Sequence, residues 1–246
     1  MQIGGEVAAS PGVSRLAVPA DQPGGRGARG AAGGRAPGAP DGRRARWTEH
    51  RRARRGELVA AAVDAVRTAG PDFAVEDVAR SAGVSKTVIY RYFSDKDELV
   101  DAVLEAISTD VLLPRLLGEL AADRADDVAR LRAVIAEFVA VVEQEPALYG
   151  FAYAHAGRSG RADLVAATER EVAEALGRLI GERLAAAGRD PGPALTWSYG
   201  VVGMVQLATH WWSAARGCTA AELVDQLTAL AAGGLVGLLP PAPDRR

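Results

Sequence analysis

The chain is 246 residues long, 48% hydrophobic and nearly neutral, with a net charge of −2. That length supports a body of about 150–200 residues with a core of its own plus one small module. No uninterrupted apolar run approaches the ~20 residues of a membrane span. The opening MQIGGEVAASPGVSRLAV lacks the basic and apolar regions of a secretory signal. Cys218 is the single cysteine, so no internal disulfide is available, and a reducing, cytoplasmic setting without membrane attachment is expected. The near-neutral total hides an asymmetry. Residues 1–56 hold 11 Arg against Glu6, Asp21, Asp41 and Glu49, a balance of +7 that leaves −9 for the remainder. A basic front on an acidic body points to a polyanionic partner at one end, although a solvated Arg-rich tail has the same composition.

Residues 1–46 form an arm rich in Gly, Pro, Ala and Arg, typified by DQPGGRGARGAAGGRAPGAPDGRR. Such a stretch buries too little apolar surface to offset its ordering entropy and is read as disordered; a start codon placed too far upstream would produce the same stretch. From Trp47 onward the pattern is helical, with no run of alternating β-branched residues bounded by turns, which predicts an all-α fold. Leu58, Ala61, Ala62, Ala65, Val66 and Ala69 give the first helix one apolar face, and Gly70-Pro71 ends it. Short helices follow over about Val75–Ser81 and Ser85–Tyr92. Asp95 then caps a fourth helix, with Glu98 completing a capping box. Further helices are expected at about Asp127–Gln144, Pro146–Ala156, Ala162–Ala187, Pro193–Arg216 and Ala220–Leu239, separated by loops such as GRDPGP.

The informative stretch is AVEDVARSAGVSKTVIYRYFSDKDELV, residues 74–100. Val75, Val78, Ala79 and Ala82 suit the inner face of one short helix, Gly83 a sharp turn with positive φ, and Val84 the angle between two helices. Ile89 and Phe93 supply the inner face of the second. Two short helices joined by a Gly-containing turn, spanning 74–93, match a helix-turn-helix, whose second helix is free to enter a major groove. The outward residues there are Lys86, Thr87, Val88, Tyr90, Arg91 and Tyr92. They offer cations, hydroxyls, a methyl pair for thymine and rings; Lys96 adds a cation in the first turn of the next helix. An ordinary basic surface helix would carry such charges too, but Tyr90, Tyr92 and Phe93 within four residues favour a partner. Arg51 and Arg52, with Arg54, Arg55, Arg43, Arg44 and Arg46, precede or open the first helix and suit phosphates or a minor groove.

The run D-V-A-x-x-A-G-V-S-x-x-x-I-Y-x-Y-F-x-x-K-x-x-L, here Asp77 to Leu99, resembles the DNA-binding signature of TetR-type transcriptional regulators. The resemblance covers about residues 51–111. It implies a three-helix DNA-binding head there, a helical ligand-binding and dimerisation body over 112–246, a homodimer on a palindromic double-stranded operator, and release of DNA when a small molecule binds the body. It further implies Lys86, Thr87 and Tyr90 on bases and Tyr92 and Lys96 on phosphates. Two positions depart from the family pattern. Ala74 stands where the family often has a capping Thr, and Thr87-Val88 where it commonly has Gly-Thr.

Nothing in the body suggests catalysis, a metal or a cofactor: His50, His155 and His210 are scattered, and no ligand spacing, nucleophile elbow or Gly-rich loop occurs. The segment TWSYGVVGMVQLATHWWSAARG and the helix bearing Leu223, Leu227, Leu230, Leu235 and Leu238 are strongly apolar. They serve either as an internal core or, as the resemblance implies, as a four-helix bundle between two protomers. Phe138, Tyr149, Phe151, Tyr153, His155, Trp197, Gln206 and His210 form the candidate effector site, suited to an apolar or amphipathic molecule; aromatic core packing is the alternative for each. A ligand-responsive repressor is thus expected, against a DNA-binding regulator without an effector, or a helical enzyme or carrier.

Overall fold

The computed structural model describes residues 42–156 and 162–236, and among these every regular element is helical. Ten α-helices run in order: α1 (Gly42–Ala69), α2 (Val75–Ser81), α3 (Lys86–Ile89), α4 (Lys96–Ala106), α5 (Leu113–Ala121), α6 (Asp127–Gln144), α7 (Pro146–Ala156), α8 (Ala162–Ala186), α9 (Ala194–Ala215) and α10 (Ala220–Val236). Of the arm expected to be disordered, residues 1–41 lie outside the described residues. Residues 42–46, by contrast, are the first turn of α1, because the Arg- and Ala-rich run behind them is good helix former throughout. Leu238 also lies outside the described residues.

The head is built from α1 to α4. Leu58, Ala62 and Val66 of α1 meet Phe73, Val78, Ile89, Phe93, Leu99 and Val103 in one buried cluster. That cluster does not close on itself. Leu148 and Phe151 of α7 complete it, Phe151 packing on Phe73 with ring centroids 5.7 Å apart. Burying two large side chains contributes several kcal/mol, at about 1.5–3 each, so the head's core is partly supplied by a helix of the body. A paired contact reinforces it: the Arg67 guanidinium of α1 donates twice to Glu145, at 3.0 Å to each carboxylate oxygen. That grip holds the Arg67 pKa above its ordinary value.

Between α4 and α5 lies a π-helical segment, Ile107–Leu112, so the chain passes from head to body without a loop. The sequence position of the boundary, 111/112, falls inside this segment. In the body, α8 packs along α9 and α6 along α10. The α8–α9 approach is close enough that a Cβ at Gly177 would meet Ser198 Oγ at 3.0 Å and the Leu195 Cα at 3.4 Å. Leu131, Ile135, Val139 and Val142 of α6 join Val205 and Trp212 of α9 and Leu223 and Leu227 of α10 in the second buried cluster.

Candidate nucleic-acid interface and body cavity

Local chemistry explains the shape of the helix-turn-helix. Ala74 has no side chain with which to cap α2. Its own N–H is instead taken by Asp77 Oδ2 at 2.8 Å, which supplies half of a capping box from inside the helix. Gly83 adopts φ +63, a value costly for any residue with a Cβ, and the Val84 N–H closes the turn on the Ala79 carbonyl at 2.9 Å. The second helix is shorter than the expected Ser85–Tyr92. Only Lys86–Ile89 is α-helical, and the turn then tightens, Arg91 and Tyr92 donating to the Val88 and Ile89 carbonyls. This tightening sends Phe93 inward and starts the turn towards α4. Asp95 caps α4, Oδ1 accepting from the Glu98 N–H at 2.8 Å. Glu98 reaches one residue beyond the expected box, to the Ser94 N–H at 2.7 Å.

The candidate DNA-facing residues separate by exposure. Lys86, Thr87, Tyr90 and Arg91 are exposed, Tyr90 at 46%; Val88 is half-buried, and Tyr92 packs its ring on the head core. Lys96 lies over the Phe73 ring, Nζ 5.3 Å from its centroid, while its side chain stays exposed. Arg51 and Arg52 are exposed on α1. The Arg51 guanidinium donates to the Arg91 carbonyl at 3.5 Å, which sets this part of α1 beside the end of α3. Arg55 lies over Phe93 at 4.6 Å and bonds Glu98 at 3.1 Å. Glu76 was not among the candidates. Its carboxylate lies 2.5 Å from Lys86 Nζ, and this pairing lowers the Glu76 pKa and raises that of Lys86.

The body encloses a cavity of about 640 Å³. It follows α6 from Asp127 to Val141, about 21 Å at 1.5 Å per residue, between that helix and α5, α7, α8 and α9. Its wall is mostly aliphatic, including Leu116, Val134, Val172, Leu176, Val202 and Val205. At the start of α6 Arg183 bonds Asp127 at 2.7 Å and Arg130 bonds the same carboxylate at 3.3 Å, while Arg130 Nε is buried without a hydrogen-bond partner. Near α7 stand Tyr149, Tyr153, Glu145 and Gln206, the last donating to Glu169 at 2.5 Å. Burial pushes the Tyr149 phenol up to about 12, so at neutral pH it is a hydrogen-bond donor.

Of the eight candidate effector residues, Phe138, Tyr149, Tyr153 and Gln206 line this cavity. Phe151 and His155 do not. Both are buried, Phe151 in the head's core cluster, with the His155 ring 4.3 Å from that of Phe151 and its Nδ1 at 2.9 Å from the Phe151 carbonyl. Trp197 packs beside Ile180, Leu184 and Ala194. His210 stacks on Tyr153 at 3.5 Å, outside the wall. Beyond Phe138, Tyr149 and Tyr153 the wall is mostly aliphatic. The available signal was the width of the apolar surface on α6, where Val134, Phe138 and Val141 form a second face beside Leu131, Ile135, Val139 and Val142.

Residues 58–103 match the family model for bacterial regulatory proteins of the tetR family, and residues 116–245 match that of the tetracyclin repressor-like C-terminal domain. An uncharacterized HTH-type transcriptional regulator of Mycobacterium tuberculosis is 37% identical over 199 residues, 81% of this chain and 84% of the relative. The chain belongs to the TetR family of transcriptional regulators. It is a DNA-binding regulator, and its relatives are regulators, not enzymes. BetI of Burkholderia cenocepacia is 34% identical over 87 residues, 35% of this chain and 44% of that protein. Among solved structures, a tetR-family regulator of Streptomyces coelicolor superposes with a TM-score of 0.61 at 20% identity, over 77% of this chain and 82% of that one. One from Mesorhizobium loti gives 0.60 at 19%, over 76% and 97%. Those two likenesses concern the fold. In this TetR-family chain no group of His, Cys, Asp or Glu among the described residues could hold a metal ion, and no described helix is long and apolar enough to cross a membrane.

Proposed function

We propose that this TetR-family protein is a repressor that binds a palindromic operator as a homodimer and leaves it when an apolar or amphipathic effector enters the body. In this reading residues 51–111 act as the DNA-binding head and 112–246 as the effector and dimerisation body. Lys86, Thr87 and Tyr90 read bases, Val88 meets a thymine methyl, and Arg51, Arg52, Arg91, Tyr92 and Lys96 hold phosphates. Phe138, Tyr149, Tyr153 and Gln206 contact the effector. The observation that carries the reading is the placement of Glu145: it lines the cavity and is also the residue Arg67 grips from the head. A ligand that moves the α6–α7 joint therefore moves α1, and by linkage DNA and effector weaken each other by the same factor.

Pairing is supported by a ridge of exposed apolar residues on α9, Leu195, Tyr199, Leu207 and Trp211, recurring every four residues or multiples of four, with Leu230 exposed on α10. Monomers seldom leave so much apolar surface uncovered, and such i, i+4 ridges are what helices interlock on. The first experiment is selection of bound duplexes from random DNA. Two inverted half-sites about one helical turn, ~34 Å, or a multiple apart are expected; an asymmetric site sinks the homodimer. The second replaces Val202 by Trp to fill the cavity. Anilinonaphthalenesulfonate fluorescence should rise with the wild type and stay low with Val202→Trp, while operator binding persists. Equal dye binding by both would favour a regulator without an effector in this cavity.

A further inference from the structure

We infer that the first half of α1 is a helical outrigger that rests on DNA phosphates flanking the half-site read by α3. The inference rests on the DNA-binding reading of α3 and adds a second contact zone to it. Residues 45–53 are exposed at every position, and the first fully buried residue of α1 is Leu58. At 1.5 Å per residue, the turns before Leu58 extend about 24 Å past the head's core. That is the length of about seven base pairs, with two phosphates per ~3.4 Å of duplex.

Composition gives this projection its partner. Residues 42–56 contain seven Arg and one acid, Glu49, and no apolar face; Trp47 stands 65% exposed, with the Arg51 guanidinium 5.8 Å from its ring. Arg54 and Arg55 are turned to Glu57 and Glu98, and Arg46, Arg51 and Arg52 are exposed in the turns before them. A helix polar all round that buries none of its side chains is marginal in water. A polyanion is the surface that seven arginines and so little apolar area suit, and guanidinium forks match phosphate oxygens. The projection also starts at the right place, since Arg51 touches the carbonyl of Arg91 at the end of α3. Its helical form decides how it sits. An α-helix about 10–12 Å across does not fit a minor groove about 6 Å wide, so α1 rides along the backbone outside the half-site and does not thread the groove as an extended arm would.

The test uses the full-length protein and two duplexes carrying its selected operator, one trimmed to the half-sites and one with about ten base pairs, one helical turn, of unrelated flank on each side. The wild type should prefer the flanked duplex about tenfold at low salt, with a steeper salt dependence, since each phosphate contact adds about 0.9 to the slope. Arg46→Ala, Arg51→Ala and Arg52→Ala together should remove that preference and reduce the slope on the flanked duplex by about 2–3 per protomer, while weakening the trimmed duplex far less. Ala53→Pro keeps every arginine and interrupts the helix ahead of Leu58; it should lose the preference too. Equal wild-type affinity for the two duplexes overturns the outrigger and leaves the segment for an acidic protein surface. A triple variant weakened equally on both duplexes assigns these arginines to the half-site itself and overturns it as well. Retained preference in Ala53→Pro overturns the helical form. Failure of the wild type to bind even the trimmed duplex refutes the reading of α3 instead.

Discussion

Glu76 and Lys86 stand ten residues apart on the two arms of the helix-turn-helix, and the 2.5 Å contact between them would govern what the proposed reading face offers a groove. On the proposed reading Lys86 would meet DNA already partnered, so a site would have to exchange that partner for something better, such as a guanine edge, while a stray phosphate would gain less. Glu76→Gln should therefore raise affinity for random DNA several-fold and lower the operator-to-random ratio, read from competition binding. Tyr90→Ala and Lys86→Ala should each weaken operator binding by about 10- to 100-fold with circular dichroism unchanged. Asp95→Ala removes the α4 cap and should cost about 1 kcal/mol in denaturant melts. Glu98 adds a pH signature. The Ser94 N–H, then Arg55, hold its carboxyl below its ordinary 4.5. The stability this confers is full above that value and disappears as pH falls through the lower folded-state pKa. The wild type should lose more melting temperature than Glu98→Gln between about pH 5 and pH 3. Gly83, Val84 and Phe93 were legible in the sequence because a turn of this kind is decided within a few residues. The Glu76–Lys86 pair was not, since it depends on the angle at which α2 and α3 cross.

At the scale of elements, α7 matters most. It was legible as a helix from Pro146 onward, but its aromatic residues do not share one role. Tyr149 and Tyr153 line the cavity, whereas Phe151 joins the head's core and His155 is buried against the Phe151 ring. Phe151→Ala should cost about 3–5 kcal/mol and lower the stability of head and body together in a single transition, as followed by calorimetry. Arg67→Ala removes only a half-exposed contact, so its expected effect lies elsewhere: operator affinity without effector changes little, and effector-induced release is blunted, as measured by titrating the operator complex. An Arg67→Ala protein that responds to effector as the wild type does would show that the Glu145 contact does not carry the coupling. The π-helical passage Ile107–Leu112 left no mark in the sequence. Its residues, ISTDVL, read as ordinary helix, and the wider turn reflects how α4 and α5 must each meet a different core.

For the whole molecule, the helical body and the order of its helices followed from periodicity and from Pro and Gly at the breaks, while the cavity did not, because a gap is a property of several helices at once. The exposed ridge on α9 sets the expectation for assembly. Leu207→Glu with Trp211→Glu should shift sedimentation from dimer to monomer and lower operator affinity by more than either head substitution, although nothing in the head is touched. The shared core described above has a bearing on engineering as well. A designer who wishes to transplant this head onto another body, or to give this body a new head, would cut near residue 111 by sequence. That cut leaves Phe73 and its neighbours facing whatever α7 the recipient brings. Exchangeable modules in this protein are therefore interleaved: a working graft must carry Glu145, Leu148 and Phe151 along with the first four helices, or redesign them to fit.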